Sequence, residues 1–140
     1  MSSVQLRDPF SGVWTFNREL STTSTPPPRN WTQLIDITGN DVTVSEEIVS
    51  FNGSKTISTV WARFDGREYS IAGSQVSDTI AYVRHDRHNI SGTGKKNGNV
   101  SLRQHTNVSP DGRALTLTYS IYSGVQVIAQ GTAVFDKAHD

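Results

Sequence analysis

Glu46 is the residue whose type and position best suit acid–base chemistry in this sequence. It alternates with Val42, Val44 and Ile48 along one short segment, so in an extended strand its carboxylate shares a face with aliphatic side chains. A carboxylate that faces an apolar cavity has a raised pKa and can act as a general acid or base near neutral pH. Two structural explanations are commoner for such a residue: an ion pair with Arg84, or contact with water at the cavity mouth.

Further polar and aromatic side chains share the apolar faces of neighbouring segments. Tyr82 and Tyr119 could donate a hydrogen bond to a carbonyl or a developing enolate, so they join Glu46 as the predicted catalytic residues if the protein is an enzyme. Gly92 and Gly94 fall on the same face and either leave room for a ligand or mark a bulge. The predicted ligand-binding residues are Trp31, Gln33, Glu46, Trp61, Tyr69, Tyr82, Arg84, Gln104 and Tyr119.

The four histidines raise the question of a metal site. His85 and His88 flank Asp86, but they straddle a predicted turn between two strands, and a metal site needs ligands that converge. His105 and His139 have no spacing relation to this pair. We therefore predict a solvated turn and no metal. The sequence has no glycine-rich phosphate loop before a helix and no nucleophile elbow, so no cofactor is predicted.

These residues lie on short segments in which apolar and polar side chains alternate with a period of two, and no stretch carries a helical period. Hairpin turns are indicated at Asn52-Gly53, Asp65-Gly66, Asn97-Gly98 and Asp111-Gly112. Residues 18–30 are polar, end in three prolines and are predicted to form a loop. The predicted strands cover residues 12–17, 31–38, 42–48, 55–64, 69–71, 79–84, 88–96, 100–108, 115–121 and 125–135.

Many short strands joined by tight turns favour an up-and-down order that closes on itself. We predict an all-β fold: one up-and-down antiparallel β-barrel of about eight to ten strands, spanning residues 1–140 as a single domain. A β-sandwich is the alternative, although it would need longer crossings. The strand over 55–64 has Val60 and Ala62 on one face and Ile57 and Trp61 on the other, and the sequence leaves open which face points inward.

Several motifs occur in an order that resembles a known family. Trp14 and Phe16 open the first strand on one face, where they could plug one end of a barrel. The motifs are Asp8–Trp14, the prolines 26–28, Ala62–Tyr69 with Gly73, Asp78-Thr79 and Val108–Thr116. They resemble a family of small bacterial lipocalin-like (calycin-type) β-barrel proteins, from about residue 8 to Lys137. The resemblance implies the fold and little about chemistry, and this chain departs from it at His85, His88, His105 and Gly94.

Composition disfavours nucleic-acid and membrane partners and excludes cysteine chemistry. The formal net charge is zero, whereas proteins that grip nucleic acid or anionic membranes carry a basic surplus. The absence of cysteine excludes disulfides and thiol chemistry. Residues 1–10 lack the apolar run of a secretory signal, so we expect a cytoplasmic protein, although many members of the resembled family look secreted.

Three functions are compatible with these features. The leading hypothesis is that the barrel binds a small hydrophobic molecule, oriented by Glu46, Tyr82, Gln104 and Tyr119. The alternative is a cofactor-independent enzyme that uses the same cavity for proton transfer, isomerisation or cyclisation of a hydrophobic intermediate. A third is an interaction protein without a cavity that uses exposed Trp61 and Ile57 as a patch for a partner or for a homodimer.

Overall fold

The barrel wall consists of ten antiparallel strands within residues 7–139, the part of the chain that the computed structural model describes. The strands are β1 (Gly12–Thr23), β2 (Asn30–Thr38), β3 (Asp41–Val49), β4 (Lys55–Arg63), β5 (Tyr69–Ala72), β6 (Thr79–Asp86), β7 (Asn89–Lys96), β8 (Asn99–Val108), β9 (Ala114–Ser123) and β10 (Gln126–His139). Each strand pairs with its neighbours in sequence, and β1 pairs with β10, so the sheet closes. The predicted all-β, up-and-down antiparallel barrel is confirmed. The predicted domain limits, residues 1 and 140, lie outside the described residues.

Two-residue turns connect four pairs of consecutive strands and fix their register. In the β7–β8 hairpin, Asn97 has a φ of 52° and Gly98 a φ of 81°, and two consecutive positive φ angles are the requirement of a type I′ turn. The turn leaves Lys96 opposite Asn99. None of the described residues is helical, and accordingly no helix among them could cross a bilayer.

The inner faces of the strands follow the predicted alternation. The open question about β4 is settled, because Val60 is 5% and Ala62 0% exposed, whereas Ile57 is 57% and Trp61 53% exposed. Val60 and Ala62 therefore face the interior. In the pairing of β4 with β3, Val60 lies opposite Val44, an inward residue of β3.

The first strand is longer than the sequence predicts. Residues 18–23 were expected to belong to a loop, yet β1 continues through them and a register shift separates Asn17 from Thr22. Ser21 Oγ accepts a hydrogen bond from the backbone N–H of Val134 at 2.8 Å and donates to the carbonyl of Asn17 at 2.6 Å. These side-chain bonds replace the regular ladder across the irregularity, and the prediction was wrong because alternation alone does not reveal such bonds.

The two ends of the barrel differ. At one end Trp14 is fully buried and its Nε1 donates to the carbonyl of Phe10 at 2.9 Å, so residues before β1 fold across this end and close it. The opposite end carries the β1–β2 loop with its prolines, the β3–β4 turn and the β5–β6 loop. Phe51 in the β3–β4 turn is 57% exposed. This second end is the entrance to the interior.

Candidate functional site

The barrel interior contains a cavity of about 410 Å³. Its wall runs from Phe10 and Phe64 at the closed end to Thr25, Pro26 and Phe51 at the opposite end. These last three side chains are exposed, so the cavity reaches the surface there. The aliphatic part of the wall comes from Ile35, Val42, Val44, Ile48, Val60, Ile71, Val76, Ile80, Ile90, Leu102, Leu117 and Ile121. A cavity of this size and composition is typical of sites for small organic molecules.

Glu46 lies in the wall of this cavity, where β2 positions its partners. Gln33 is directly opposite Glu46 in the β2–β3 pairing. Its Nε2 donates to Oε2 of Glu46 at 2.6 Å, and the indole Nε1 of Trp31 donates to the same oxygen at 2.9 Å. The other oxygen, Oε1, accepts no hydrogen bond from any described residue. One carboxylate oxygen is thus held by the protein, and the second is available to a molecule in the cavity.

The surroundings of Glu46 disfavour its ionised form. Burial raises the pKa of this carboxyl above the ordinary 4.5, and the hydrogen bonds from Gln33 and Trp31 oppose the rise without cancelling it. The Glu46 side chain is only partly buried, because it borders the cavity. A raised pKa of this origin suits a group that exchanges a proton or receives a charged partner.

Three more of the predicted polar side chains border the same cavity: Tyr82, Gln104 and Tyr119. Burial raises the pKa of Tyr82, and the negative charge of Glu46 raises it further. Burial also raises the pKa of Tyr119. Both phenols are therefore protonated donors near neutral pH, and neither hydroxyl has a hydrogen-bond partner among the described residues.

The structure places three predicted ligand-binding residues outside the cavity wall as it is formed by the described residues. Trp61 lies on the outer face of β4, where the guanidinium of Arg63 covers its ring at 5.8 Å. Tyr69 packs edge-on against Trp61 at 5.6 Å, and its hydroxyl donates to Asp65 Oδ2 at 2.6 Å. Trp61 lies outside because Val60 and Ala62, on the other face of β4, point inward. Tyr69 is held away from the cavity by the hydrogen bond from its hydroxyl to Asp65, in the turn before β5.

Arg84 is the third of these residues, and the ion pair with Glu46 that the sequence suggested does not form. Its guanidinium instead binds both carboxylate oxygens of Asp8, at 2.6 and 3.0 Å. It also lies over the rings of Phe10 and Phe64 at 5.6 Å each. Arg84 does point inward, but it lies near the end of β6, so its side chain is located at the closed end of the barrel.

The two inward glycines of β7 do not create the cavity. A Cβ at Gly92 would approach Tyr82 Cε1 and Gln104 Cγ at 3.2 Å each, and a Cβ at Gly94 would collide with the Ser77 hydroxyl. The expected void beside them is therefore filled by these neighbours. The glycines let Tyr82 and Gln104 lie close against β7, and they let the β5–β6 loop enter the barrel.

Some lining residues escaped the sequence analysis. Ser58 lies opposite Glu46 on β4, and Thr106 is a buried polar residue of β8. Their parity with Val60 and with Gln104 was the signal that could have found them. Phe51 and Pro26 lie in connections, where no periodicity predicts which side chains turn towards the entrance.

A second polar group lies on the outside of the barrel and also was not predicted. His85 Nε2 and His105 Nδ1 both contact Ser91 Oγ, at 2.7 and 3.2 Å, and the two rings stack at 6.0 Å. The β6–β7–β8 register brings them together across an exposed face. His105 Nε2 is 2.9 Å from Asn89 Oδ1. Within residues 7–139, no three His, Cys, Asp or Glu side chains are grouped so that they could hold a metal ion.

Comparisons with known proteins leave the family unassigned. No family model matches the chain, and a search of curated proteins finds no match. The closed ten-strand barrel is compatible with a calycin-like or lipocalin-like fold.

Proposed function

We propose that this protein binds one small, largely apolar molecule inside the barrel, and that it is a relative of the lipocalin-like proteins that its motifs resemble. The observation that supports binding most directly is the cavity of about 410 Å³, which has aliphatic walls and reaches the surface at one end. A protein interior is normally packed without voids of this size. The few inward polar groups, chiefly Glu46, Tyr82 and Gln104, would fix the orientation of the molecule.

Filling the cavity tests this proposal. Ser58→Phe adds a ring next to Glu46, whereas Thr59→Phe adds the same ring to the exposed outer face one residue later. Titration with the neutral probe 1-naphthylmethanol, followed by calorimetry, should give one-site binding to the wild type and to Thr59→Phe. Ser58→Phe should lose at least about tenfold in affinity, which is the effect of losing roughly 1.4 kcal/mol of contacts. Equal affinity of all three proteins would contradict a site inside the barrel, as would the absence of any binding.

The second candidate is a cofactor-independent enzyme, and one observation favours it. Glu46 has a raised pKa and an unoccupied Oε1, and its charge acts on Tyr82, so a base and a protonated phenol border one apolar cavity. Such a pair can abstract a proton and stabilise the resulting enolate. In this role Glu46→Gln would abolish turnover and leave binding of the substrate intact. Tyr119 would be the second donor.

A role in self-association is compatible with either function. Ile57 and Trp61 are exposed on the outer face of β4, on the opposite side of the strand from the cavity. Homodimer formation through this face therefore stays a prediction that is independent of the ligand site.

A further inference from the structure

When ionised, Glu46 gives the cavity a charge that no other side chain of the described wall balances. Among the described residues that line the cavity, Glu46 has the one carboxyl group, and there is no lysine, arginine or histidine. Arg84, the inward arginine of β6, is already paired by two hydrogen bonds with Asp8 and donates to the carbonyl of Arg87 at 2.8 Å. A buried carboxylate without a cation is costly. The described wall offers Glu46 no positive partner.

The hydrogen bonds of Glu46 define where such a partner would lie. Oε2 already accepts two N–H groups, from Trp31 and Gln33, and these two bonds restrain the carboxylate. Oε1 accepts none from the described residues, and the residue Glu46 lines the cavity. A donor at this oxygen must therefore come from a molecule in the cavity or from water.

We infer that the molecule bound in the cavity carries a protonated primary or secondary amine, which donates a hydrogen bond to Oε1 of Glu46 while its hydrocarbon part contacts the aliphatic wall. This inference rests on the proposed function. Gln104 and the phenol oxygen of Tyr82 border the same cavity and offer acceptors for a second N–H. The ring of Trp31 also lines the cavity, and aromatic faces attract cations.

The same arrangement discriminates against other amphiphiles. A fatty acid or another carboxylate would place a second negative charge beside Glu46, without an arginine or lysine in the described wall to receive it. An alcohol could donate to Oε1 but would leave the carboxylate charge unbalanced. An ammonium group supplies both the hydrogen-bond donor and the charge that balances the carboxylate, so the amine is the favoured ligand class.

Three probes with one hydrocarbon skeleton separate these possibilities: 1-naphthylmethylamine, 1-naphthylmethanol and 1-naphthoate. Calorimetry at pH 7.5 should show the amine binding to the wild type at least about tenfold more tightly than the alcohol, with the carboxylate weakest. In Glu46→Gln the amine should lose this advantage while the alcohol keeps its affinity within about threefold. The glutamine retains an acceptor for Trp31 and Gln33, which favours a preserved wall.

Glu47→Gln is the matched control. Glu47 is the next residue on β3, and it pairs with Lys55 at 3.4 Å outside the barrel. This substitution changes the net charge of the protein by the same amount but should leave the preference for the amine unchanged. An equal loss in both variants would overturn the inference, because it would show an effect of overall charge. Equal affinities of amine and alcohol in the wild type would overturn it too, and would leave the proposed binding function standing.

A pH series on the wild type keeps the test decisive if Glu46→Gln does not fold. The titratable groups that face the cavity together with Glu46 are Tyr82 and Tyr119, and both stay protonated near neutral pH. Amine affinity should therefore rise with pH as Glu46 ionises, and alcohol affinity should not. Parallel pH profiles for the two probes would overturn the inference. Failure of all three probes to bind would instead refute the proposed function.

Discussion

The two oxygens of Glu46 differ in their surroundings, and this difference determines what the residue can do. Oε2 is held at 2.6 Å by Gln33 and at 2.9 Å by Trp31, so the carboxylate cannot rotate without losing both bonds. Oε1 is therefore presented to the cavity in a fixed direction before any ligand arrives. Such preorganisation reduces the ordering cost of binding. The same fixed group could serve as a base, which is why binding and catalysis share this site in our proposals.

The buried carboxyl makes a testable contribution to the pH dependence of stability. Below pH 4.5, the ordinary pKa, Glu46 is mostly protonated in both the folded and the unfolded chain. As the pH rises, the unfolded chain ionises first, because burial raises the pKa in the folded state, so the folded state is progressively destabilised until the raised pKa is passed. Glu46→Gln lacks this loss. We expect the variant to be more stable than the wild type at pH 7.5 and of similar stability at pH 4.

Urea unfolding of both proteins across pH 4–8 measures this difference directly. Glu47→Gln provides the reference for removing a carboxylate from the outer face of the same strand, and we expect it to follow the wild type within about 0.5 kcal/mol. A wild type and a Glu46→Gln variant with the same pH profile would show that Glu46 keeps its ordinary pKa.

The sequence predicted which side chains share the face of Glu46 better than which of them it contacts. Parity along a strand placed Gln33, Glu46 and Gln104 inside, and all three line the cavity. Parity does not report depth along the barrel axis. Arg84 shares the inward face but lies at the closed end, where Asp8 is nearer than Glu46. The partner of a charged residue depends on this depth, and depth follows from the strand stagger.

At the scale of elements, the ion pair of Arg84 with Asp8 ties the segment before β1 to β6. The two side chains are only 19% and 15% exposed, and Arg84 also covers the rings of Phe10 and Phe64. Arg84→Met keeps much of the apolar stem and leaves the Asp8 carboxylate without its cation. We expect a loss of about 2–3 kcal/mol in the free energy of unfolding, between the values for exposed and fully buried pairs.

Arg63→Met is the matched comparison for this substitution. Arg63 pairs with Asp41 at 3.0 Å, but these side chains are 55% and 46% exposed, so its removal should cost less than about 1 kcal/mol. Urea unfolding at pH 7 measures both. Similar losses in the two variants would mean that the Asp8–Arg84 pair does not hold the closed end.

The strands themselves were predictable because most positions alternate cleanly and turn residues mark their ends. The exceptions have local causes. In β1 the side chain of Ser21 bridges an irregular stretch, which a loop-like composition conceals. In β4 both faces carry large apolar residues, and only the burial of Val60 and Ala62 shows which face is inside. Exposed apolar residues such as Trp61 remove the difference between an apolar and a polar face, from which the inward face of a strand is predicted.

At the scale of the whole molecule, the cavity results from the complete ring of side chains, and no single residue predicts it. The sequence suggested space beside Gly92 and Gly94, but Tyr82, Gln104 and Ser77 occupy that space. The volume remains elsewhere, because ten strands enclose more room than the inward side chains fill. A closed up-and-down barrel could thus be predicted from periodicity, whereas its unfilled interior required the packing.

The unfilled interior leads to a prediction about the stability of the entire barrel. A ligand that binds only the folded state at a concentration of one hundred times its Kd adds about 2.7 kcal/mol to the free energy of unfolding. For a domain of this size that corresponds to a rise of roughly 5–10 °C in melting temperature. Differential scanning fluorimetry with 1-naphthylmethylamine should show this rise for the wild type and for Thr59→Phe. Ser58→Phe should show no rise, because its ring occupies the ligand volume beside Glu46. An equal shift in Ser58→Phe and Thr59→Phe would place the stabilising ligand on the outer surface and not within the barrel.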